Sequence, residues 1–482
     1  MREAEKELIE IILRLNLFYY CGNGSGSGEG LFTLNEKDSA PFFIDINGAA
    51  SFPHYRKIFL DALLSSIREL TAETGRESGG EGNPLTLAAC GHSAIPFASL
   101  AAERLSLPMV YIRESAKKHG KKNMLEGSVN EGADCILFTE TYSSAAGIES
   151  AVKGLLERKC RITGVVSLIN MTDENRIEIE GEKRPVESPL SLKSLIDYAE
   201  TTRALPEKII KAARIWIPEG AAVFAGAGTA EGSEADRMSD AGDTAGITGI
   251  LPSASEDAGW VTVSGSRKSE TDAAEILLEL KAVTLSLSSP YRYASGILSP
   301  IYCDNRLMIS SPVKWKIVIE IMKNIIKDRI GLENIEVIAG TSTAGIPHAA
   351  RLASSLGLPL VYVKSEKGER GKKSNIEGLL PYGKRVLVVE DLVSTGKSSI
   401  EAVRILRAHG AIVENCIAIF SYQMKSALDI FSEEKCALYT ASNFSVLIKT
   451  AVEKKYITEE EAEKAVSWNM DPEMWGKTHG YE

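Results

Sequence analysis

The chain has no Cys-x-x-Cys pair: its seven cysteines stand at 21, 90, 135, 160, 303, 416 and 436, odd in number and scattered. Such spacing offers neither a zinc site nor a disulfide framework, and it favours reduced thiols in a cytoplasm. There is no apolar run of about 18 residues, so no membrane span is expected. The opening Met-Arg-Glu-Ala-Glu-Lys-Glu is too acidic for a secretory leader. A basic excess is missing too, and the net charge of -10 argues against a nucleic-acid surface. What remains is a 482-residue chain, 44% hydrophobic and 25% charged. That describes a soluble protein of two or three domains of roughly 100–200 residues each.

The strongest local signal is Arg385-Val-Leu-Val-Val-Glu-Asp-Leu-Val-Ser-Thr-Gly-Lys-Ser398. Val386 to Val389 read as a buried parallel strand that stops at Glu390 and Asp391. A polar loop, Ser394-Thr395-Gly396-Lys397-Ser398, follows; then Ile400, Val403, Ile405 and Leu406 take up a helical rhythm that Gly410 closes. N–H groups at a helix start, with hydroxyls and a glycine, suit one phosphate. Carboxylates beside them suit sugar hydroxyls or a magnesium ion that carries phosphate. The loop lacks the Walker pattern. It resembles the signature of type I phosphoribosyltransferases, which bind phosphoribosyl pyrophosphate (PRPP).

Earlier residues follow an alternation of strands and helices. A helix is expected over 5–20, a strand at 42–46, a helix near 54–70, then strand 85–89, helix 96–105, strand 109–112, a basic loop 113–123 and strand 135–139. A shift of 251 residues lays Ile95-Pro96 on Ile346-Pro347, Val110-Tyr111 on Val361-Tyr362 and Glu126-Gly127 on Glu377-Gly378; with a slightly larger offset, Asp45 falls on Asp304. The chain reads as a tandem duplication: a degenerate first copy at 1–217, a Gly-, Ala-, Ser- and acid-rich linker at 218–269 and a catalytic copy at 270–482. The linker is either a plain tether or a carrier of regulation.

Only the second copy keeps the whole phosphoribose loop. Thr139-Glu140 lie on Glu390-Asp391, and Ala145 lies on Gly396, where it adds a Cβ at a position expected to need close backbone approach and a positive φ. Ala94 likewise replaces Gly345 of the loop Thr341-Ser342-Thr343-Ala344-Gly345, which resembles the pyrophosphate-facing loop of these transferases.

Together with Ala294 to Arg306, Ala418 to Tyr422 and the ending Trp468-x-x-Asp471-Pro472-x-x-Trp475, these blocks resemble orotate phosphoribosyltransferase over essentially all of 270–476. The resemblance implies an α/β fold of two type I domains, each a mostly parallel sheet flanked by helices. It also implies an internal pseudo-dimer, because family members are homodimers whose basic Arg-x-x-x-Lys-x-His-Gly loop reaches the partner's site. The first copy keeps that loop as Arg113, Lys117 and His119; the second reads Lys364, Gly368 and Arg370. One good site is thus expected from two damaged halves.

The implied reaction converts orotate and PRPP to orotidine 5′-monophosphate and pyrophosphate, a step of UMP biosynthesis, with Mg²⁺ carried by PRPP and no metal held directly by the protein. Asp391 with Arg113, Lys117 and His119 forms the expected catalytic set. PRPP is assigned to Glu390, Asp391, Leu392, Val393, Ser394, Thr395, Gly396, Lys397 and Ser398, to Thr341, Ser342 and Thr343, and to Lys364 and Lys367. Orotate is assigned to Ser394, Tyr302 and Tyr422. Ile297-Leu298 and Tyr422 depart from many relatives at the base, so another base stays open. A fused decarboxylase finds no Asp-x-Lys-x-x-Asp cluster. The alternative from another class is a non-catalytic PRPP or nucleotide sensor, which would have no use for Lys117 and His119.

Overall fold

Two sheets with matching strand order organise the molecule. This is a computed structural model, and it describes residues 1–20, 32–33, 39–75, 85–113, 124–219, 263–264, 267–293, 295–364 and 375–481. The basic loop 114–123, its counterpart 365–374 and most of the 218–269 linker lie outside the described residues.

In the second half the strands run in the spatial order Val263–Ser264, Ala437–Asn443, Ile412–Ser421, Arg385–Val393, Val337–Thr341, Leu360–Val363, Ile376–Glu377, all parallel except the last. Arg385–Val393 lies at the centre and is covered on both faces, which is why its run is continuously apolar. Val386 and Val388 share a core with Ile400, Val403 and Leu406 of helix Lys397–Ala408; Leu387 and Val389 share the other with Ile346 and Ala350 of helix Ile346–Leu356. The strand continues past the acidic pair to Val393 instead of stopping at Val389. Gly410, at φ 81°, closes helix Lys397–Ala408 as expected, with Gly410 and Ala411 N–H donating to Arg407 and Leu406 carbonyls.

The first half repeats this as Glu182–Glu187, Arg161–Asn170, Asp134–Tyr142, Thr86–Cys90, Met109–Ile112, Leu125–Glu126. One connection differs. Helix Lys425–Glu433 leads to the strand after Ile412–Ser421, whereas in the first half the hairpin of Arg176–Ile179 and Glu182–Glu187 takes that place. At the N-terminus the expected 5–20 helix is shorter. It spans Glu3–Arg14, Asn16 turns the chain at φ 52°, and Phe18–Tyr20 forms a strand on Phe42–Ile44. Stacking of Phe18 on Phe42, 5.3 Å between centroids, favours the pairing over two more helical turns. The 42–46 strand ends at Ile44, because Asp45 caps helix Ile46–Ala50 by accepting from Gly48 N–H. Val263–Ser264, inside the span expected as linker, pairs with Ala437–Asn443. Among the described residues no helix is long and apolar enough to cross a membrane.

The halves meet through the same surface of each. Helix Ile95–Leu105 packs on its counterpart Ile346–Leu356. Ser51 Oγ donates to Leu360 O at 3.0 Å and accepts from Leu379 N–H at 2.9 Å. Its counterpart Ser310 Oγ donates to Met109 O at 3.0 Å and accepts from Ser128 N–H at 2.7 Å. His92 Nε2 lies 2.8 Å from Oγ1 of Thr343, its own counterpart. Reciprocity of this kind marks a contact related by a twofold axis.

Candidate active site

Glu390 is only 5% exposed, and its oxygens are already engaged. Oε1 accepts from Thr341 Oγ1 at 2.7 Å and Asp391 N–H at 3.1 Å, and Oε2 accepts from Ser399 Oγ at 3.2 Å. Burial, then the neighbouring Asp391, hold its carboxyl above the ordinary range. Glu390 therefore braces the strand end against both flanking loops, and Asp391, half-buried beside it, is the carboxylate at the mouth. Burial raises Asp391 as well, while Arg306 draws it down. Asn305 Nδ2 donates to the Asp391 carbonyl at 2.6 Å.

The chain then turns through Leu392, Val393 and half-buried Ser394 to exposed Thr395, Lys397 and Ser398. Gly396 sits at φ 77° and caps helix Lys397–Ala408 with its backbone alone. A Cβ there would lie 3.0 Å from Ile430 Cγ2 and 3.1 Å from Phe431 Cε2. The glycine is thus required by the left-handed turn and by the crossover helix behind it. Of the two expected reasons, the positive φ is met, while space on the ligand side is not where its Cβ points. Gly345 is constrained too: a Cβ would fall 2.5 Å from Val389 O and closer still to Thr341 Oγ1. Ser342 and Thr343, half-buried, complete that loop.

The first half builds something else on the same frame. Glu140 takes the Asp391 position, is buried, and is pushed up to about 8 mainly by desolvation. Asn47 Nδ2 donates to it at 3.2 Å. Ala145 has φ -58°, and the chain runs into a short turn at Ala146–Ile148 in which Ser144 Oγ accepts from Gly147 N–H.

Arg113 lies at the second half's site. Its Nε is 2.7 Å from Glu126 Oε1; Glu126 also pairs with Arg306, which grips Asp304 through Nε and Nη2 at 2.5 and 2.7 Å. Tyr302, its ring tilted against that of Tyr291 with centroids 5.5 Å apart, feels Asp304, Arg306 and Glu126. Of these groups, Arg306 and Asp304 act directly on the Asp391 carboxyl. Lys364, expected among the PRPP contacts, is placed with Glu140: it pairs with Glu377 at 2.5 Å, and both act on the Glu140 carboxyl. Tyr422, expected on orotate, is 3% exposed, edge-on to Trp468 at 5.7 Å, with its Oη 3.4 Å from Tyr293 Oη. It lies in the core behind the site. Lys117, His119 and Lys367 lie outside the described residues.

Sequence reasoning gave no role to Glu126, Arg306, Asp304, Asn305 or Tyr111. Their signal was present in the aligned Glu126 and Glu377 and in the stretch ending Asp304-Asn305-Arg306, but nothing local says that these two stretches touch.

The phosphoribosyl transferase domain model matches residues 311–436. An orotate phosphoribosyltransferase of Coxiella burnetii is 50% identical over 206 residues, 42% of this chain and 97% of that protein. Another, of Listeria innocua, is 44% identical over 208 residues, 43% of this chain and 99% of its own. The crystal structure of orotate phosphoribosyltransferase from Aeropyrum pernix aligns at 25% identity with a TM-score of 0.34, covering 38% of this chain and 99% of that one.

Proposed function

The chain belongs to the orotate phosphoribosyltransferase family, and from that membership we propose that it converts orotate and PRPP to orotidine 5′-monophosphate and pyrophosphate at one site shared by its halves. The observation that carries the reading is the acidic end of Arg385–Val393 running into a glycine-capped helix, with Arg113 and Glu126 of the other half reaching Arg306 beside it.

Ser394, Thr395, Lys397 and Ser398 hold the 5′-phosphate with the first N–H groups of helix Lys397–Ala408. Asp391 accepts from the ribose hydroxyls, and its charge favours the ring as positive charge builds there. Thr341, Ser342 and Thr343 face the pyrophosphate. Orotate lies against Tyr302, and its N1 attacks the anomeric carbon as the bond to the pyrophosphate oxygen breaks. Lys117 and His119 of the first half close over that leaving group, stabilising its charge and excluding water, while Arg113 adds its positive charge from the loop's base, where Glu126 holds it. Magnesium enters with PRPP as part of the substrate. Glu390 suits a brace better than a metal ligand, since Thr341, Ser399 and the Asp391 N–H already occupy it.

The reciprocal Ser51 and Ser310 bonds support an internal pseudo-dimer of a 1–217 unit and a 270–482 unit, the latter extended by the strand at 263–264. We place the enzyme in the cytoplasm, where its free thiols stay reduced. The test is incubation of the full chain with orotate, PRPP and Mg²⁺ while the orotate absorbance is followed. Unchanged absorbance, with an active relative run in parallel, refutes the reading.

A further inference from the structure

Glu126 belongs to the half that lacks a substrate cradle, yet it is one of the best-buried carboxylates at the other half's site. Its side chain is 7% exposed and lies between two guanidiniums, Arg113 of its own half and Arg306 of the other. A carboxylate between two cations in a desolvated contact fixes both, because releasing either would leave a charge buried without its partner. Arg306 is held from its other side by Asp304, and Arg306 and Asp304 are among the groups that act on Asp391. Tyr111, 1% exposed and without a hydrogen-bond partner for its hydroxyl, fills the remaining space among Arg113, Glu126 and Arg306. Arg113 in turn closes the base of the 114–123 loop, its N–H donating to Met124 O at 2.9 Å.

The opposite site shows that the repeat alone does not produce this arrangement. There Glu377 pairs with Lys364, the counterpart of Arg113, but Asn47 stands where Arg306 stands and donates to Glu140. Among the described residues, a carboxylate held between two guanidiniums, one from each half, is therefore present at the Asp391 side and replaced at the Glu140 side by a Lys364 pair and an amide.

We propose that Glu126 is a positioning residue for the transferase site: it ties the base of the first half's loop, through Arg113, to Arg306 and Asp304 beside Asp391. The proposal rests on the transferase reading above. It assigns to the first half a fixed part of the site in addition to its loop. Glu126 touches no reacting atom; it sets where the loop starts and how Arg306 is turned.

The test uses the full chain and four variants, Glu126→Gln, Glu377→Gln, Arg306→Gln and the double Glu126→Gln/Arg306→Gln, with kcat, KM and equilibrium PRPP binding measured for each. Glu126→Gln is expected to lower kcat at least tenfold with PRPP affinity changed less than threefold, because the cradle on the second half is untouched. Glu377→Gln, its equal in the repeat, is expected to keep kcat within twofold. The double variant is expected to be no worse than the poorer single one, as two members of one chain of contacts should be. A folded Glu126→Gln chain with kcat within twofold of the parent overturns the proposal, as does an equal fall in Glu377→Gln or full additivity in the double variant. If Glu126→Gln does not fold, Glu126→Asp, which keeps the charge but is one methylene too short to span both guanidiniums, carries the same comparison at an expected threefold to tenfold loss, and parental kcat overturns it. A parent chain that makes no orotidine product strikes the transferase reading instead.

Discussion

Glu140 is the buried carboxyl whose replacement has the most calculable effect. It stands where the second half has Asp391, but burial lifts it from an ordinary 4.5 to about 8. A folded pKa raised above the unfolded one means that the folded protein binds the proton more tightly. The stabilisation is complete below pH ~4.5 and is lost as pH rises toward 8. Each pH unit in that window costs about 1.4 kcal/mol, so between pH 5.5 and 7.5 the parent should lose roughly 3 kcal/mol from this group alone. Glu140→Gln removes the titration and keeps the shape, and its amide can donate to Asn47 Oδ1, which is buried without a partner. Urea unfolding followed by tryptophan fluorescence at pH 5.5 and 7.5 should show the variant gaining about 2–4 kcal/mol on the parent over that interval. Formation of orotidine 5′-monophosphate should stay within twofold. Identical pH dependence of the two proteins would show that Glu140 ionises normally in the fold, and the account of a closed, desolvated first-half site would fail.

Other expectations concern the second half and the loop. Gly396→Ala places a Cβ against Ile430 and Phe431 at a positive φ, and should destabilise the chain by about 1–3 kcal/mol and weaken PRPP binding at least tenfold, read by thermal melting and calorimetric titration. Asp391→Asn should abolish PRPP binding in the same titration by removing the acceptor at the mouth, and undiminished binding would reverse the assignment of the halves. Lys117→Ala should depress kcat at least ~10-fold with less effect on PRPP affinity, while Arg370→Ala, in the corresponding loop of the other half, should be nearly silent; equal losses in steady-state assays would refute the division of labour.

Local chemistry carried most of what the sequence revealed. The apolar run ending in Glu390-Asp391, the glycine at 396 and the 251-residue shift each express a requirement met within a few residues or between identical units. Where expectation and structure part, a distant neighbour decides. Glu390 turns inward because Thr341 and Ser399, from two other elements, take its oxygens. Tyr422 is covered by Trp468 from helix Glu459–Met470. The hairpin at Arg176–Ile179 and Glu182–Glu187 replaces a crossover helix, and no residue pattern near Ala145 announces that loss of support. Glu126 and Arg306 meet across the two halves, 180 positions apart in the chain.

The reciprocal serine bonds between the halves have a consequence for dilution. An enzyme completed by a second, separate copy loses its site when the copies drift apart, and its output per molecule then depends on how much of it a cell makes. On the proposed shared site both contributors are encoded in one polypeptide, so the local concentration of one half around the other would be set by covalent attachment and not by expression level. Because the two halves are read from separate stretches of one gene, a change in one is not forced on the other.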